Sequence, residues 1–365
     1  MAFNLSTFFQ KESNSVLGVD IGTSSIKVVQ LKREHGHVLL ETYGAIALGP
    51  YAGVEIGRAT SLPAEKIAEA LKDVIREANV TTQVGALSIP YSSSLISILK
   101  LPASVEKQLA QVVPIEARKY IPVPINEVML DWFVVSGNDA KTADPNGKIE
   151  VLMVAIHNDT ITKFKNIASG AGVTISFFEI EVFSAVRAAL EHGIAPVAVV
   201  DMGAATTKFY VVERGLIRES HIISHGSQDL TLAASRALGV SVTQAEEWKR
   251  KFGLGATDKT VPVETKLTES LTLSLSPLLS ELARTISAYE ARLNQSISQL
   301  VFTGGGAGLK GLLQYAQGKV PTEVFLADPF SKAQAPAFLE KILKEAGPEF
   351  SVAVGLALRR LQDMG

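Results

Sequence analysis

One short pattern occurs twice in this chain, and its repetition limits the available folds more than any other feature. Leu17-Gly18-Val19-Asp20-Ile21-Gly22-Thr23-Ser24-Ser25-Ile26-Lys27-Val28-Val29 is answered by Val200-Asp201-Met202-Gly203-Ala204-Ala205-Thr206-Thr207-Lys208-Phe209-Tyr210-Val211-Val212. Asp20 matches Asp201, Gly22 matches Gly203, Ser25 matches Thr206 and Lys27 matches Lys208, at a constant offset of 181 residues. Each copy reads as a strand climbing to an aspartate, a glycine turn and a second strand, hence a tight hairpin. Such a turn can aim backbone N–H groups and hydroxyls at one spot, which suits a phosphate. An aspartate beside phosphates implies a Mg²⁺ between them. A self-match at half the chain length predicts two related lobes, whose paired turns would grip a triphosphate from both sides. The copies differ where Ala204 and Ala205 replace Thr23 and Ser24, so the second turn offers fewer hydroxyls.

Bulk properties narrow the function classes. The chain of 365 residues is long enough for two domains, each with its own core. A formal net charge of −2 without a basic stripe argues against a nucleic-acid surface. No apolar run approaches the roughly 20 residues that span a bilayer. The start, Met1 to Phe9, lacks the basic and apolar blocks of a secretory signal, and the chain has no cysteine. A cytoplasmic protein is expected, with any membrane association supplied by a partner.

Between the hairpins, Pro63 opens an amphipathic helix with Ile67, Leu71, Val74 and Ile75 on one face, and Val84 to Ile89 is a strand. Residues 91–176 read as an α+β insertion: a strand from Ser94 and a helix after Ser104 that Pro114 should kink or restart. Strands at Met129–Val135 and Ile149–Ile156 follow, joined by a hairpin turn through Asp144-Pro145-Asn146-Gly147. The insertion ends with a helix from Asp159 and a strand at Val173–Phe177. Glu179 or Glu181, just before the crossing helix, is a candidate for orienting a water. After the second hairpin come helices at Asp229–Leu238 and Ser241–Phe252, the latter opened by a Ser241/Gln244 capping box. A long helix runs from about Lys266 to Ser296, where Pro277 argues against a continuous coil. A strand at Gln299–Thr303 enters Gly304-Gly305-Gly306-Ala307-Gly308, where absent side chains let a ligand lie against the backbone. The last helix, Phe350 to Leu361, is interrupted by Gly355.

In order, these elements resemble the actin, Hsp70 and sugar-kinase superfamily. The segment Leu101-Pro102, then Ile115-Glu116-Ala117-Arg118-Lys119-Tyr120-Ile121-Pro122-Val123-Pro124-Ile125-Asn126-Glu127-Val128-Met129-Leu130-Asp131, is similar to the PilM family of type IV pilus assembly. The resemblance spans Leu17 to Leu361. It implies an α/β, two-lobed actin-like fold with a small α+β insertion subdomain in the first lobe. The first lobe would be 16–195 (core 16–90 and 177–195, insertion about 91–176). The second would be 196–349 (core 196–228 and 297–349, helical insertion about 229–296), and 350–365 would pack back on the first lobe.

The same resemblance implies the site and the partners. Gly22, Thr23 and Ser24 would hydrogen-bond phosphate oxygens of ATP, Lys27 would reach the β-phosphate, and Gly203 and Thr206 would complete the second clamp. Asp20 and Asp201 would hold Mg²⁺ largely through its waters. Glu246 and Lys249, three apart on one helical face, would approach ribose and adenine, a surface ion pair being the equal alternative. Gly304, Gly305 and Gly306 would lie against the adenosine and α-phosphate. The implied role is a cytoplasmic scaffold, at most a slow ATPase, in the pilus inner-membrane assembly complex. It would bind the N-terminal cytoplasmic peptide of a PilN-like bitopic membrane protein in a groove near Tyr120–Pro124, alongside other proteins of that complex. Homo-oligomerisation stays open. A small-metabolite kinase of the same superfamily and an FtsA-like cell-division protein are the alternatives; the second would require a basic membrane helix that Ala357–Gly365 is too short to supply. His221 and His225, four apart without an adjacent acidic ligand, do not predict zinc.

Overall fold

The structure, a computed structural model, describes residues 14–136, 147–191, 193–255 and 262–364. In the first lobe, β1 (Ser15–Ile21), β2 (Ser25–Glu34) and β3 (His37–Ala47) form an antiparallel meander. Pro63, whose fixed φ suits a helix entrance, precedes α1 (Ala64–Glu77), and the chain returns as β4 (Val84–Ile89), parallel to β1. The chain then leaves the sheet for β5 (Ser94–Pro102), α2 (Leu109–Ala117), β6 (Val128–Ser136) and β7 (Lys148–His157), whose strands pair in the order β5-β7-β6. This small sheet has its own core, which includes Leu99, Val113, Ile121, Val151 and Met153. Pro114 lies inside α2 without restarting it; the change of helix type falls earlier, where a 3₁₀ segment, Ala103–Gln108, meets Leu109. The turn expected through Asp144–Asn146 lies outside the described residues, but the strands that it would join, β6 and β7, are antiparallel partners.

The last part of the expected insertion belongs to the first lobe's own layers. Helix α3 (Asn158–Gly170) puts Ile161, Phe164 and Ile167 into the same core as Ile67, Leu71 and Val74 of α1, and β8 (Thr174–Ile180) pairs parallel with β4. Their apolar faces need the central sheet, which the small three-stranded sheet does not offer. Helix α4 (Glu181–Ala189) then crosses to the second lobe.

There the plan is repeated. Strands β9 (Val197–Met202), β10 (Thr207–Glu213) and β11 (Leu216–Ile223) form a second meander. Helices α5 (Ser227–Leu238), α6 (Val242–Phe252) and α7 (Pro262–Leu293) lead back to β12 (Gln299–Thr303), parallel to β9; α8 (Leu312–Ala316) and β13 (Val324–Leu326) complete the sheet. The orders β3-β2-β1-β4-β8 and β11-β10-β9-β12-β13 correspond position by position, so the duplication read from thirteen residues extends to both sheets. Helix α7 is continuous over 32 residues. Pro277 is tolerated because it lies on the exposed side, where water can satisfy the carbonyl that it orphans, while Leu271, Leu275, Leu278, Leu282 and Ile286 hold the opposite face in the core.

After α9 (Glu340–Ala346), α10 (Ser351–Asp363) returns to the first lobe and packs against β1, β2 and α4. Val354, Leu356, Ala357 and Leu361 are buried, each of the larger ones contributing about 1.5–3 kcal/mol. Gly355 does not interrupt this helix. A Cβ there would stand 1.9 Å from the carbonyl oxygen of Ser184, so glycine is what lets α10 and α4 cross at backbone contact. Among the described residues no helix is long and apolar enough to cross a membrane.

Candidate functional site

Strand alternation decides which side chains meet between the lobes. In β9 and β10, Ala198, Val200, Met202, Phe209 and Val211 enter the core of the second lobe, while Val199 and Tyr210 join the core shared with the first. Asp201 and Lys208 share the parity of this second set. In β1 and β2, Val16 and Val29 face α10, and Asp20 and Lys27 share their parity at the open end of the sheet. Asp20 stands opposite Lys27, and Asp201 opposite Lys208, in the same register.

Both turns close alike. The Gly22 N–H donates to Ser25 O at 3.1 Å and the Gly203 N–H to Thr206 O at 3.0 Å. The following carbonyls anchor the next layer of chain: Thr23 O accepts from Thr60 N–H at 2.8 Å and Ser24 O from Leu48 N–H at 2.9 Å, while Gly203 and Ala204 accept the first N–H groups of α5. The Gly22 amide is therefore used by the turn. The N–H groups of Thr23, Ser24, Ala204 and Ala205 have no protein acceptor among the described residues.

Asp20, Gly22, Thr23, Ser24 and Lys27 line one cavity with Asp201, Gly203, Thr206, Gly304 and Gly305, so ten of the thirteen expected residues converge. The cavity measures about 120 Å³, room for the phosphate end of a nucleotide but not its base. Asp20 is buried and accepts from Ser88 Oγ at 2.9 Å through Oδ1. Lys27 is 9% exposed and has no ion pair among the described residues; its Nζ lies 3.7 Å from where a Gly22 Cβ would stand. Gly304 has φ +83°, and a Cβ there would lie 2.3 Å from Asp201 Oδ1, so glycine is required for this approach.

Lys208 is not equivalent to Lys27. Its Nζ donates to Glu181 Oε2 at 2.7 Å and to Asp201 Oδ2 at 3.0 Å. Burial alone would lower its pKa, but the two carboxylates hold it above the ordinary lysine value. Burial pushes the Glu181 carboxyl up; Lys208 opposes this, and Asp201 and Asp20 add to it. Glu181 opens α4, lines the cavity and takes Tyr91 N–H on its other oxygen at 2.7 Å. The sequence singles it out only as one of two unplaced acids. Its companion Glu179 lies elsewhere, clamped by Arg187, Arg359 and Ser184.

Three expected residues lie outside the cavity. Gly306 is buried against Met202 and Ser227. Glu246 and Lys249 form an ion pair at 2.7 Å, but a buried one, 5% and 7% exposed. Thr231 Oγ1 donates to Glu246 at 2.6 Å and Arg250 Nε at 2.7 Å. Burial pushes the Glu246 carboxyl up, yet Lys249, Thr231 and Arg250 together hold it below the ordinary range. Gly57 of the first lobe covers the pair: a Cβ on it would lie 3.0 Å from the Glu246 side chain. His221 and His225 pair separately with Glu281 and Asp229, and no cluster of three or more metal-ligating residues occurs among the described residues.

A second, larger cavity of about 970 Å³ lies where the insertion, the first lobe and the second lobe meet. Met129, Trp132 and Phe133 of β6 form one wall, Phe183, Val186 and Leu190 a second, and Val212, Leu216 and Ile217 a third. Tyr120–Pro124 take no part; Ile121 is buried in the core of the insertion.

Two duplicated lobes that present matched aspartate–glycine hairpins to one cleft define an actin-like protein. The family model of the type IV pilus assembly protein PilM matches residues 18–361, and the chain belongs to that family. A solved structure described as a PilM–PilN type IV pilus biogenesis complex superposes with a TM-score of 0.78 at 23% identity, covering 95% of this chain and 98% of that one. MreB 5 of Spiroplasma citri bound to AMPPNP superposes with a TM-score of 0.51 at 11% identity, covering 97% and 98%. The cell division protein FtsA of Bacillus subtilis (strain 168) is 23% identical over 354 residues, 86% of this chain and 78% of FtsA.

Proposed function

We propose that this protein is an ATP-binding, actin-like scaffold of a type IV pilus inner-membrane assembly complex, cytoplasmic and held at the membrane by a PilN-like bitopic protein. The observation that carries this reading is the three-walled groove, whose volume and apolar lining suit a short peptide segment. The N-terminal cytoplasmic peptide of the partner would lie there, between the insertion and α4, rather than near Tyr120–Pro124.

The phosphates of ATP would lie against Thr23, Ser24 and Lys27 on one side and Gly203 to Thr206 on the other, with Gly304 and Gly305 beneath. The unpaired, buried Lys27 ammonium and the open amides of both turns support this fit. Mg²⁺ would be met through its waters by Asp20, whose Oδ1 alone is engaged, with Asp201 facing it. Glu246, Lys249 and Gly306 would come into play only on opening of the cleft, since Gly57 covers the ion pair. The protein would be at most a slow ATPase.

Three elements reach both cavities. Helix α4 carries Glu181 at one and Val186 at the other, β9 carries Asp201 and Val197, and β10 carries Lys208 and Val212. Closure of the lobes on a nucleotide would therefore reshape the groove. Fluorescence anisotropy with the N-terminal peptide of the neighbouring PilN-like protein tests both claims. Binding is expected, weakened by Phe133→Asp and Ile194→Asp on the exposed rim and altered by ATP. Unchanged binding in both variants would remove the groove assignment, and equal affinity with and without ATP would remove the coupling.

A further inference from the structure

The second clamp already contains a cation. The Lys208 side chain is 14% exposed, and its Nζ is held by carboxylates from both lobes, Glu181 from the first and Asp201 from the second. Each carboxylate gives one oxygen to Lys208, and the other oxygen of each lies against backbone. Glu181 Oε1 accepts from Tyr91 N–H, and Asp201 Oδ1 is pressed against Gly304. Mg²⁺ needs a near-octahedral set of oxygens and gives up its waters reluctantly. An ammonium between these carboxylates stands where a divalent ion would draw on both. Lys27, at the matching register position, has no such partner among the described residues and is left to face an anion. Without Lys208, Asp20, Asp201 and Glu181 would confront a polyanionic ligand with Lys27 as the lone counter-charge among the lysines that line the cavity.

Resting on the reading of this cavity as a nucleotide site, we propose that Lys208 is the resident cation of the second clamp. It neutralises Asp201 and Glu181 in place of a divalent ion, so that Mg²⁺ arrives on the nucleotide and is met from the protein by Asp20 alone. The two hairpins thus divide the work: the first receives phosphate and metal, and the second supplies a fixed positive charge.

Calorimetric titration of ATP into the full chain, once in Mg²⁺ and once in EDTA, tests this. The wild-type protein is expected to bind in both, with Mg²⁺ improving affinity by less than about tenfold. Lys208→Gln leaves two carboxylates uncompensated; its affinity in EDTA is expected to fall by about a hundredfold, with Mg²⁺ restoring most of the loss. Lys208→Arg keeps the charge and is expected to keep the wild-type ratio. A wild-type protein that binds ATP in Mg²⁺ but not in EDTA overturns the proposal without recourse to any variant, and so decides the matter even if Lys208→Gln fails to fold. A folded Lys208→Gln protein with wild-type affinity in EDTA overturns it as well. No binding by the wild type in either condition defeats the nucleotide reading itself, and this inference with it.

Discussion

At the tip of the first sheet, Lys27 stands opposite Asp20 with no ion pair among the described residues, beside the hydroxyls of Thr23 and Ser24. At the tip of the second, Lys208 stands opposite Asp201 in the same register, beyond a turn with alanines at 204 and 205, and is locked by two carboxylates. The backbones agree even in the hydrogen bond that closes each turn. Duplication has kept what the turn requires, a glycine and a cross-strand aspartate–lysine pair, and has left the surroundings of the lysine free to diverge. The divergence comes from Glu181, which starts a helix beside the second clamp and binds Lys208, whereas Glu349, which lines the cavity just ahead of α10, makes no ion pair with Lys27 among the described residues. One hairpin can take an anion; the other ties the lobes together.

Stability separates the two lysines most sharply. Lys208→Ala leaves Asp201 and Glu181 buried without their cation and is expected to cost about 3–5 kcal/mol in urea unfolding. Lys27→Ala breaks no ion pair and is expected to cost less than about 1 kcal/mol, or to stabilise. Equal losses would abolish the contrast. Binding reverses the order: Lys27→Ala removes a charge-assisted contact and should weaken ATP by about 1.5–3 kcal/mol, roughly ten- to a hundredfold, read by calorimetry.

Acidity sharpens the comparison further. A carboxylate whose folded pKa is raised binds its proton more tightly in the fold than in the open chain. Its contribution is therefore lost as pH rises from the ordinary carboxylate range toward the folded pKa, and regained as pH falls. Glu181 is shifted in this sense even with Lys208 present, by burial first and by Asp201 and Asp20 next. Thermal unfolding of Lys208→Gln should accordingly recover part of its loss between neutral and mildly acidic pH, whereas Lys27→Gln should show no such recovery. The smallest effect is expected from Thr23→Ala with Ser24→Ala, which makes the first turn like the second. It should lower ATP affinity by about 0.5–1.5 kcal/mol for each hydroxyl bond lost, with stability unchanged.

Much of this was legible in the sequence because it is local. Asp20–Lys27 and Asp201–Lys208 announce themselves through a period-two pattern around a glycine, and the repeat implies two matching sheets. Gly304 and Gly305 end a strand, where backbone exposure is the natural reading. What escaped depends on packing between distant segments. Glu181 and Lys208 are 27 positions apart, and nothing in the sequence around either names the other. The Glu246–Lys249 spacing gives one helical face but not the fact that Gly57, from the other lobe, buries it. The pattern of α3 fits a helix of the insertion as well as one of the first lobe; only its contact with α1 decides. Pro277 argues against a coiled coil, and α7 indeed turns its leucine stripe into the core of the second lobe.

The central claim is that two mirrored hairpins meet across one cleft and hold one nucleotide between them. A crystal structure of the protein grown with MgATP tests it most directly. The account predicts phosphate oxygens on Lys27 Nζ and the Thr23 and Ser24 amides, with the Ala204–Ala205 amides on the opposite side and Lys208 still bound to Asp201 and Glu181. A nucleotide seated away from both turns, or Lys208 displaced by a metal ion that bridges Asp20 and Asp201, would contradict it.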